Sequence, residues 1–418
     1  MTDWQHGFYK HDPQTRRRLI TSGLGLPTSV TTQLAAGSSS LGNELIENYL
    51  TDYRLPEGVA LGLVVNDHSY VVPMVVEEPS VIAAACNGAQ RVARSGGFHA
   101  PKQHRELVGQ VVLTDVVAPE KVKKQLLAQR THLLAVANAA HPSMQRRGGG
   151  AKHLTVRIPG NFVSLDLGID VCQAMGANSV NTMVEAVARE LTAQGYHVLT
   201  AILSNFATQS LQAVTCDVEF ASLATQQMPG QAVAHRIAQL SALAQADPYR
   251  AATHNKGIMN GIDAVMVASG NDWRAIESGA HAYAARDGQY RGLSTWHVIG
   301  QHLHGELTVP LPVGVVGGSI GLNPLTKLNY QISRIKTAEE LAAVTASIGL
   351  AQNLAALRAL ATTGIQAGHM KLQYRSLAVS VGATPAEVPL VVAQLAKKPH
   401  VDQEQARQVL KAIRKEQQ

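Results

Sequence analysis

The side chains with the clearest chemical potential lie between residues 247 and 274. Lys256 precedes an apolar run, Ile262–Ala268, that we predict to be a buried strand, and Asp272 follows the carboxyl end of that run. Open α/β sheets place their reacting groups at the carboxyl ends of strands. A lysine held near a carboxylate in a dry site stays cationic and stabilises a developing oxyanion. A surface lysine and a loop aspartate without any catalytic role would fit the same spacing.

A second candidate is Glu78, which precedes Pro79 and an alanine-rich apolar stretch. This pattern predicts that a helix starts at Glu78, with Pro79 in its first turn. A partly desolvated carboxyl at that position exchanges protons near neutral pH, although the positive end of the helix favours the carboxylate. Acidic residues also occur at helix starts for stability alone, so both interpretations stay open.

A third candidate is His369, in the glycine-bounded segment Gly364–Met370 that we predict to be a flexible loop before a helix. Histidine is the side chain best suited to giving a proton to a leaving thiolate near neutral pH. A single His-Met pair is also common in cores and on surfaces.

Motifs for metals and phosphate groups are weak in this sequence. His302, His304 and Glu306 alternate along one stretch but lack the H-E-x-x-H spacing of zinc enzymes, so we predict no metal. A glycine-rich stretch at residues 314–321 either lets backbone approach a ligand or only forms turns. The sequence contains no G-x-G-x-x-G after a strand and no P-loop.

Residues 106–206 predict the element order strand, helix, strand, strand, helix, strand. The segment 106–117 alternates apolar and polar residues, and a helix follows from Pro119 to about His141. Two strand-like runs, 154–158 and 162–171, flank a turn signal at residues 159–161. A second helix from Asn178 and a strand at 197–203 complete the βαββαβ, ferredoxin-like order.

The rest of the chain predicts an α+β fold in which this small domain is inserted into a larger one. We assign residues 1–105 and 207–365 to a large mixed α/β domain and residues 366–418 to a helical C-terminal domain. The last segment ends in a basic amphipathic helix whose Val409, Leu410 and Ile413 we expect to pack inward.

The composition narrows the class of function. The chain has 418 residues, a formal charge of +6 and 4% aromatic residues, which favours anionic ligands but not a nucleic-acid surface. The cysteines, Cys86, Cys172 and Cys216, are isolated, which indicates a reducing compartment. No run of 18 apolar residues occurs, so we predict a cytoplasmic protein that does not enter a membrane.

Several motifs in the same order make the chain resemble class II hydroxymethylglutaryl-CoA reductase over nearly its whole length. They are Glu47-Asn48 with Leu55-Pro56, Val76–Ser80, Ala174–Asn178, Thr253–Gly261, Gly270–Arg274 and Gly368–Met370. The resemblance implies a four-electron reduction of hydroxymethylglutaryl-CoA to mevalonate, or its reversal, that uses two reduced nicotinamides.

The resemblance also implies roles for the candidates above. Lys256 would stabilise the oxyanion, Asp272 would hold the charge and position of the lysine, His369 would protonate the CoA thiolate, and Glu78 would supply protons to the aldehyde. The residues expected around the hydroxymethylglutaryl group are Ser80, Asn205, Arg250 and Asn260. The C-terminal segment would act as a flap that carries His369 to the site.

The resemblance further implies a homodimer with the active site at the subunit interface and a dinucleotide bound by the small domain. The backbone at Met175, Gly176, Ala177 and Asn178 would hold the pyrophosphate. Gln173 departs from the family, in which an aspartate commonly precedes this motif. His141, Arg146 and Arg147 stand where NAD-preferring relatives carry an acidic residue, so we predict NADPH over NADH, with NADH still possible.

Two other classes of function remain open from the sequence. A CoA-thioester hydrolase or lyase that uses Glu78 and His369 would release CoA without oxidising a nicotinamide. A basic anion-binding protein without turnover would bind with steep salt dependence.

Overall fold

The computed structural model describes residues 3–318, 320–362, 364, 374–398 and 401–416. The chain divides into two units, residues 1–56 and 57–418. In the first unit, short 3-10 turns precede three helices, α1 (Pro13–Gly23), α2 (Ser29–Ala36) and α3 (Ser40–Leu45). Helix α1 begins after Asp12, whose carboxylate accepts hydrogen bonds from the N–H groups of Gln14 and Thr15.

The second unit contains two β-sheets. Their strands, in chain order, are β1 (Glu57–Val65), β2 (His68–Val75), β3 (Phe98–His99), β4 (Leu107–Leu113), β5 (Gly150–Arg157), β6 (Val163–Asp170), β7 (Val198–Ser204), β8 (Leu211–Glu219), β9 (Ser294–Ile299) and β10 (His302–Pro310). The larger sheet has the order β2-β1-β3-β8-β10-β9, and the smaller one has the order β5-β6-β4-β7. Buried and exposed side chains alternate along β8, so one face of the larger sheet packs on the core.

The helices of the second unit as far as residue 361 are α4 (Val81–Ala93), α5 (Pro119–Ala128), α6 (Arg130–Ala139), α7 (Pro142–Arg146), α8 (Ala177–Ala193), α9 (Phe220–Leu223), α10 (Gly230–Ala246), α11 (Pro248–Ala268), α12 (Trp273–Ala284), α13 (Pro324–Ser333) and α14 (Ala338–Ala361).

Helix α14 is the centre of the larger core. It packs against α4, α11 and α10 and against strands of the larger sheet. Most of its 24 residues are buried, and most of those are small or aliphatic. A methyl group on Gly88 of α4 would overlap the backbone of Ala351, which shows how closely these two helices cross. Helix α14 is long and apolar enough to span a membrane, but 83% of its most apolar window is buried inside the protein.

The small sheet confirms the βαββαβ prediction for residues 106–206. All neighbouring strands in it are antiparallel, and the order β5-β6-β4-β7 is that of a ferredoxin-like fold. Its core is separate from that of the larger sheet. The predicted first helix is divided at Gln129 into α5 and α6, and it is followed by the short α7. The sequence around Gln129 contains no glycine or proline that would have predicted this division.

The prediction of a buried strand at Ile262–Ala268 is wrong. These residues form the last two turns of α11, a helix of 21 residues, and Lys256 lies in the middle of the same helix. A helix that is buried on most sides shows a continuous apolar run, which resembles a buried strand. The signal that favours the helix is Asp247-Pro248, because Asp247 caps the N-terminus and Pro248 takes the first helical position.

The C-terminal segment is helical, as predicted. Residues 374–380 are helical, and α15 (Val388–Leu395) and α16 (Gln403–Glu416) follow. Val409, Leu410 and Ile413 are buried in a small cluster formed by this segment, which confirms the amphipathic helix. The mixture of helices and sheets confirms the α+β fold class. The boundaries of the three predicted domains remain a prediction.

Candidate active site

A pocket of about 460 Å³ lies between α4, α11 and the end of α14. It brings together the largest share of the predicted site residues, namely Glu78, Ser80, Arg250, Lys256 and Asn260. Arg358 of α14 also lines it. The described lining thus contains three cationic side chains and one carboxylate, which favours an anionic ligand.

Glu78 and Lys256 contact each other in this pocket. Lys256 Nζ donates to Glu78 Oε2 at 3.1 Å, and Ser80 Oγ donates to Glu78 Oε1 at 3.1 Å. The lysine side chain is 63% exposed, so water screens the pair and the ammonium is open to a ligand. The helix starts later than predicted, because α4 begins at Val81 with Ser80 as its N-cap residue and Pro79 lies outside its first turn.

Arg250 and His254 precede Lys256 on α11, and the two side chains differ in charge. Burial lowers the pKa of Arg250, and its Nε has no hydrogen-bond partner among the described residues. Burial, with the charge of Arg250, lowers the pKa of His254 to about 4, so this imidazole is neutral near pH 7. His254 Nε2 lies 2.6 Å from Ser294 Oγ. The sequence prediction missed His254, although it lies two residues before Lys256.

Asp272 is not among the described residues that line this pocket. It caps the N-terminus of α12, where its Oδ1 accepts from the N–H groups of Arg274 and Ala275 at 3.1 Å. The neighbouring Asn271 N–H donates to the carbonyl of Met266, ten residues beyond Lys256 on α11. That separation is about 15 Å along the helix axis. Within one chain, Asp272 therefore does not reach the Lys256 ammonium.

Asn271 links the Asp272 turn to the glycine-rich segment 314–321. Its amide accepts from Gly314 N at 2.8 Å and donates to Gly314 O at 3.0 Å, as a neighbouring strand would. Tyr330 Oη also donates to Gly314 O, at 3.2 Å. Asn205 contacts α12, because a Cβ on Gly279 of that helix would meet the Asn205 carbonyl at 2.7 Å. Neither Asn205 nor Asp272 is among the described residues that line the Glu78 pocket.

The turn Met175–Asn178 has the geometry of an anion-binding helix start. Gly176 adopts φ 88°, and its Cβ position is blocked by Val171, so only glycine fits there. No described side chain caps the first turn of α8, which leaves its N–H groups free for a ligand.

Arg105, which the sequence prediction missed, holds this turn in place. Its guanidinium donates to the carbonyls of Cys172, Ala174 and Val313 at 3.1, 3.1 and 2.7 Å. The side chain is buried, and burial lowers its pKa. The sequence carries no local signal for this role, because the three carbonyls come from distant segments.

Gln173 has a structural role next to this turn. Its Oε1 accepts from Ala338 N at 2.7 Å, and its Nε2 donates to Glu339 at 3.0 Å, so it caps the N-terminus of α14. An aspartate, as in relatives, would have only acceptors and would repel Glu339.

The residues predicted to select the cofactor border the same end of the small sheet. His141 precedes α7, and Arg146 and Arg147 end it. Cys172 Sγ donates to the carbonyl of Arg147 at 3.7 Å, which brings the loop after α7 against the strand that leads to Met175. This contact places Arg147 next to the segment that leads into the turn Met175–Asn178.

His369 lies outside the described residues. The last described helix before it, α14, ends at Ala361, and Leu360 and Thr362 line the Glu78 pocket. The chain that carries His369 therefore starts at the rim of that pocket.

A half-buried acidic pair joins α11 to α12. Burial and the nearby Glu277 carboxylate raise the pKa of Asp263 to about 9. His281 Nε2 lies 2.7 Å from Glu277, which lowers the pKa of that carboxyl and raises the pKa of the imidazole. Asp263 therefore keeps its proton at neutral pH.

We expect this proton to make stability fall as pH rises. Unfolded Asp263 loses its proton near pH 3.8, so the folded state binds the extra proton between about pH 4 and 9. The free energy of unfolding should then decrease by up to roughly 1.4 kcal/mol per pH unit in that window. Asp263→Asn keeps a donor for Glu277 without a titrating proton.

Between pH 6 and 8.5, the Tm of the wild type should fall relative to that of Asp263→Asn. The Tm of the variant minus the Tm of the wild type should therefore increase with pH. Exposed Asp67→Asn, in the β1–β2 turn, is the matched control. A difference that stays constant across this range would contradict the assignment of the proton.

Comparisons with known proteins agree on one family. The sequence model of the hydroxymethylglutaryl-coenzyme A reductase family matches residues 12–374. The 3-hydroxy-3-methylglutaryl-coenzyme A reductase of Archaeoglobus fulgidus is 41% identical over 98% of this chain and 94% of its own length. A probable reductase of the same name from Borreliella burgdorferi is 32% identical over 80% of this chain and 77% of its own length.

Solved structures extend the agreement to the fold. The class II 3-hydroxy-3-methylglutaryl-CoA reductase of Streptococcus pneumoniae, bound to NADPH in open conformations, is 44% identical. It aligns with a TM-score of 0.76 over 97% of this chain and 100% of that one. Another structure of the reductase from that organism aligns with 43% identity and a TM-score of 0.76, over 98% of this chain and 99% of that one. Together with the Glu78–Lys256 pocket, these matches establish that the chain belongs to the hydroxymethylglutaryl-coenzyme A reductase family, in its class II.

Proposed function

We propose that the Glu78–Lys256 pocket is where this enzyme reduces hydroxymethylglutaryl-CoA to mevalonate and CoA. The contact that carries the proposal is Lys256 Nζ to Glu78 Oε2, at 3.1 Å. It places a cation and a carboxyl group side by side in a pocket open to solvent. Two equivalents of reduced nicotinamide supply the hydrides, and the protein supplies charge stabilisation and protons.

Lys256 acts on the carbonyl oxygen of the thioester. As hydride adds to the thioester carbon, negative charge develops on that oxygen, and an ammonium beside it lowers the barrier. The neutral His254 behind Lys256 adds no competing charge near pH 7. Glu78 orients the ammonium and gives a proton when the aldehyde is reduced in the second step. Ser80 holds Glu78 through its other oxygen.

Arg250 and Asn260 bind the hydroxymethylglutaryl group. The free carboxylate of this group needs a cationic partner, and a guanidinium offers two parallel donors to it. Arg250 is half-buried, lies on α11 and lines the same pocket as Lys256. Asn260, one turn beyond Lys256 on the same helix, provides a neutral donor and acceptor.

The dinucleotide belongs at the small domain. Its pyrophosphate fits the uncapped start of α8 at Ala177 and Asn178, with Met175 and Gly176 forming the approach. The NADPH bound to the Streptococcus pneumoniae relative supports this cofactor. His141, Arg146 and Arg147 would face a 2′-phosphate, which the cationic side chains favour.

We expect NADPH to exceed NADH in kcat/KM by at least about tenfold, because each charge-assisted hydrogen bond contributes roughly 1.5–3 kcal/mol. The double variant Arg146→Gln, Arg147→Gln should lose most of this ratio through a higher KM for NADPH. Arg189→Gln removes a cation from the exposed, far end of α8 and should leave the ratio unchanged. A wild-type preference for NADH would disprove the cofactor assignment.

The complete site requires two subunits. Helix α14 contacts the small-domain turn at its N-terminus, through Gln173, and lines the Glu78 pocket from Gln352 to Thr362. Gln352 lies 14 residues beyond Ala338, which is about 21 Å along the helix axis. A dinucleotide held by one chain therefore meets a thioester held by another. In a homodimer with the site at the interface, Asp272 and Asn205 of one subunit approach Lys256 of the other.

His369 completes the reaction by protonating the departing CoA thiolate. It lies seven residues beyond Thr362 at the pocket rim, a stretch that spans at most about 25 Å. This reach allows the C-terminal segment to act as a flap that brings His369 to the thioester after substrates bind. We also expect the enzyme to be cytoplasmic.

One assay tests the reaction. Purified enzyme with hydroxymethylglutaryl-CoA and NADPH should oxidise two NADPH for each free thiol released. CoA release without NADPH oxidation would instead support a hydrolase or lyase, and the absence of both would support a binding protein.

A further inference from the structure

Strands β8, β9 and β10 carry a group of histidine and carboxylate side chains that the reductase chemistry does not use. His297 of β9 stands directly opposite His304 of β10. Glu306 follows two residues after His304 and points to the same face of the sheet. The candidate ligand atoms of these three residues all lie within 4.8 Å of one another.

Both imidazoles direct a nitrogen to the same carboxylate oxygen. His297 Nε2 is 3.7 Å from Glu306 Oε1, and His304 Nε2 is 3.9 Å from it. Ligand atoms bound to one tetrahedral zinc ion at about 2.0–2.2 Å lie roughly 3.3–3.6 Å from each other. Small side-chain rotations therefore bring all three atoms within bonding distance of one ion.

Asp217 determines which nitrogen of His304 is available. It stands opposite His304 on β8, and its Oδ1 lies 2.8 Å from His304 Nδ1. An imidazole that donates its Nδ1–H to a carboxylate keeps the lone pair on Nε2, the nitrogen that faces Glu306. Zinc-bound histidines are commonly oriented by a carboxylate in this way.

The position in the sheet separates this group from the reductase pocket. Ser294 and Trp296 of β9 are buried and contact the core, whereas His297 lies on the opposite, exposed face. His304 is 21% exposed and His297 is 47% exposed, so water can complete the coordination of an ion. Strand β9 is the edge of the larger sheet, and the ligands stand on paired strands that fix their spacing.

We infer that His297, His304 and Glu306 form a Zn²⁺ site, with Asp217 orienting His304 and water in the fourth position. Two imidazoles and one carboxylate are a ligand set that zinc accepts, whereas Mg²⁺ and Ca²⁺ prefer oxygen ligands alone. The bound ion links edge strand β9 to β10, on the face of the sheet opposite to the reductase pocket.

Zinc titration of the chelator-treated, full-length protein tests this site without any turnover measurement. We expect binding with a Kd on the order of 1–10 μM and a higher Tm in the presence of zinc. His297→Ala and His304→Ala should each weaken binding at least about tenfold and abolish the shift in Tm. Asp217→Asn should weaken binding about 10-fold or more, as loss of an outer-shell partner does.

His302→Ala is the matched control, because His302 shares the strand and the face of His304 but is not in the group. It should retain the wild-type affinity within about twofold. Circular dichroism of each variant without zinc establishes that it is folded. Co²⁺ substitution gives a second readout, since a site with two imidazoles should show the visible bands of a tetrahedral ion. The site is disproved if the wild-type protein binds no zinc at concentrations up to about 1 mM, which is 100-fold above the upper limit of the expected Kd. It is equally disproved if folded His297 and His304 variants bind zinc as tightly as the wild type.

Discussion

Lys256→Ala should lower kcat for hydroxymethylglutaryl-CoA reduction by at least about 10²–10³-fold, the usual effect of removing one donor to a developing oxyanion. Both reductive steps should fail, because each moves negative charge onto an oxygen beside the ammonium. The fold should persist, since an exposed ion pair adds little stability. The measurements are NADPH oxidation with hydroxymethylglutaryl-CoA and, separately, with mevaldehyde.

Two comparisons make this test specific to the pocket. Lys124→Ala removes an exposed lysine from helix α5 and should keep wild-type turnover. Circular dichroism and calorimetric binding of hydroxymethylglutaryl-CoA should show that the Lys256 variant is folded and still binds substrate through Arg250. Turnover of that variant within about threefold of the wild type would remove Lys256 from the mechanism.

Mixed dimers should recover activity that neither parent variant has. Lys256→Ala and Asp272→Asn should each inactivate a homodimer, and the asparagine side chain of the second variant would still cap α12. In a heterodimer of the two, one of the two sites combines the intact Lys256 of one subunit with the intact Asp272 of the other. A heterodimer purified through two different tags should therefore show about half of the wild-type turnover.

The matched control for this experiment is the heterodimer of Lys256→Ala with Glu78→Gln. These two residues contact each other within one chain, so each of its sites contains one defect and no activity should return. If the Lys256/Asp272 heterodimer is as inactive as this control, Asp272 does not act across the interface. If size-exclusion chromatography shows only monomers, the two-subunit site is wrong.

The small domain could be predicted from the sequence because its signals are local. Alternating residues, a turn at 159–161 and the helical spacing from Asn178 determine β5, β6 and α8 without reference to the rest of the chain. The pocket residues Glu78 and Lys256 were identified through residue types and the family resemblance. Their contact joins segments that are far apart in the sequence, so no local pattern predicts it.

The separation of Asp272 from Lys256 could not be predicted once Ile262–Ala268 was interpreted as a strand. A strand followed by a short loop would have left the two residues at one edge of a sheet, whereas Lys256 lies in the middle of α11 and Asp272 lies beyond its C-terminal end. Arg105 and Asn271 were missed for a related reason. Each binds backbone groups of distant segments, and such bonds leave no periodic signal in the sequence.

The zinc ligands illustrate the same limit. His304 and Glu306 alternate on one strand, which alone is not a metal motif. The third ligand, His297, comes from the neighbouring strand through the register of β9 and β10. Only the pairing of strands brings these residues together.

The burial of α14 also determines where related sequences can change length. One inserted residue in this helix would turn everything beyond it by about 100° and advance it by about 1.5 Å. Helix α14 is packed on nearly all sides, so no surrounding space can absorb that change. Insertions should therefore accumulate during evolution in exposed loops, such as the β1–β2 turn. The number of residues between Ala338, which contacts Gln173, and Thr362, at the rim of the pocket, should stay constant.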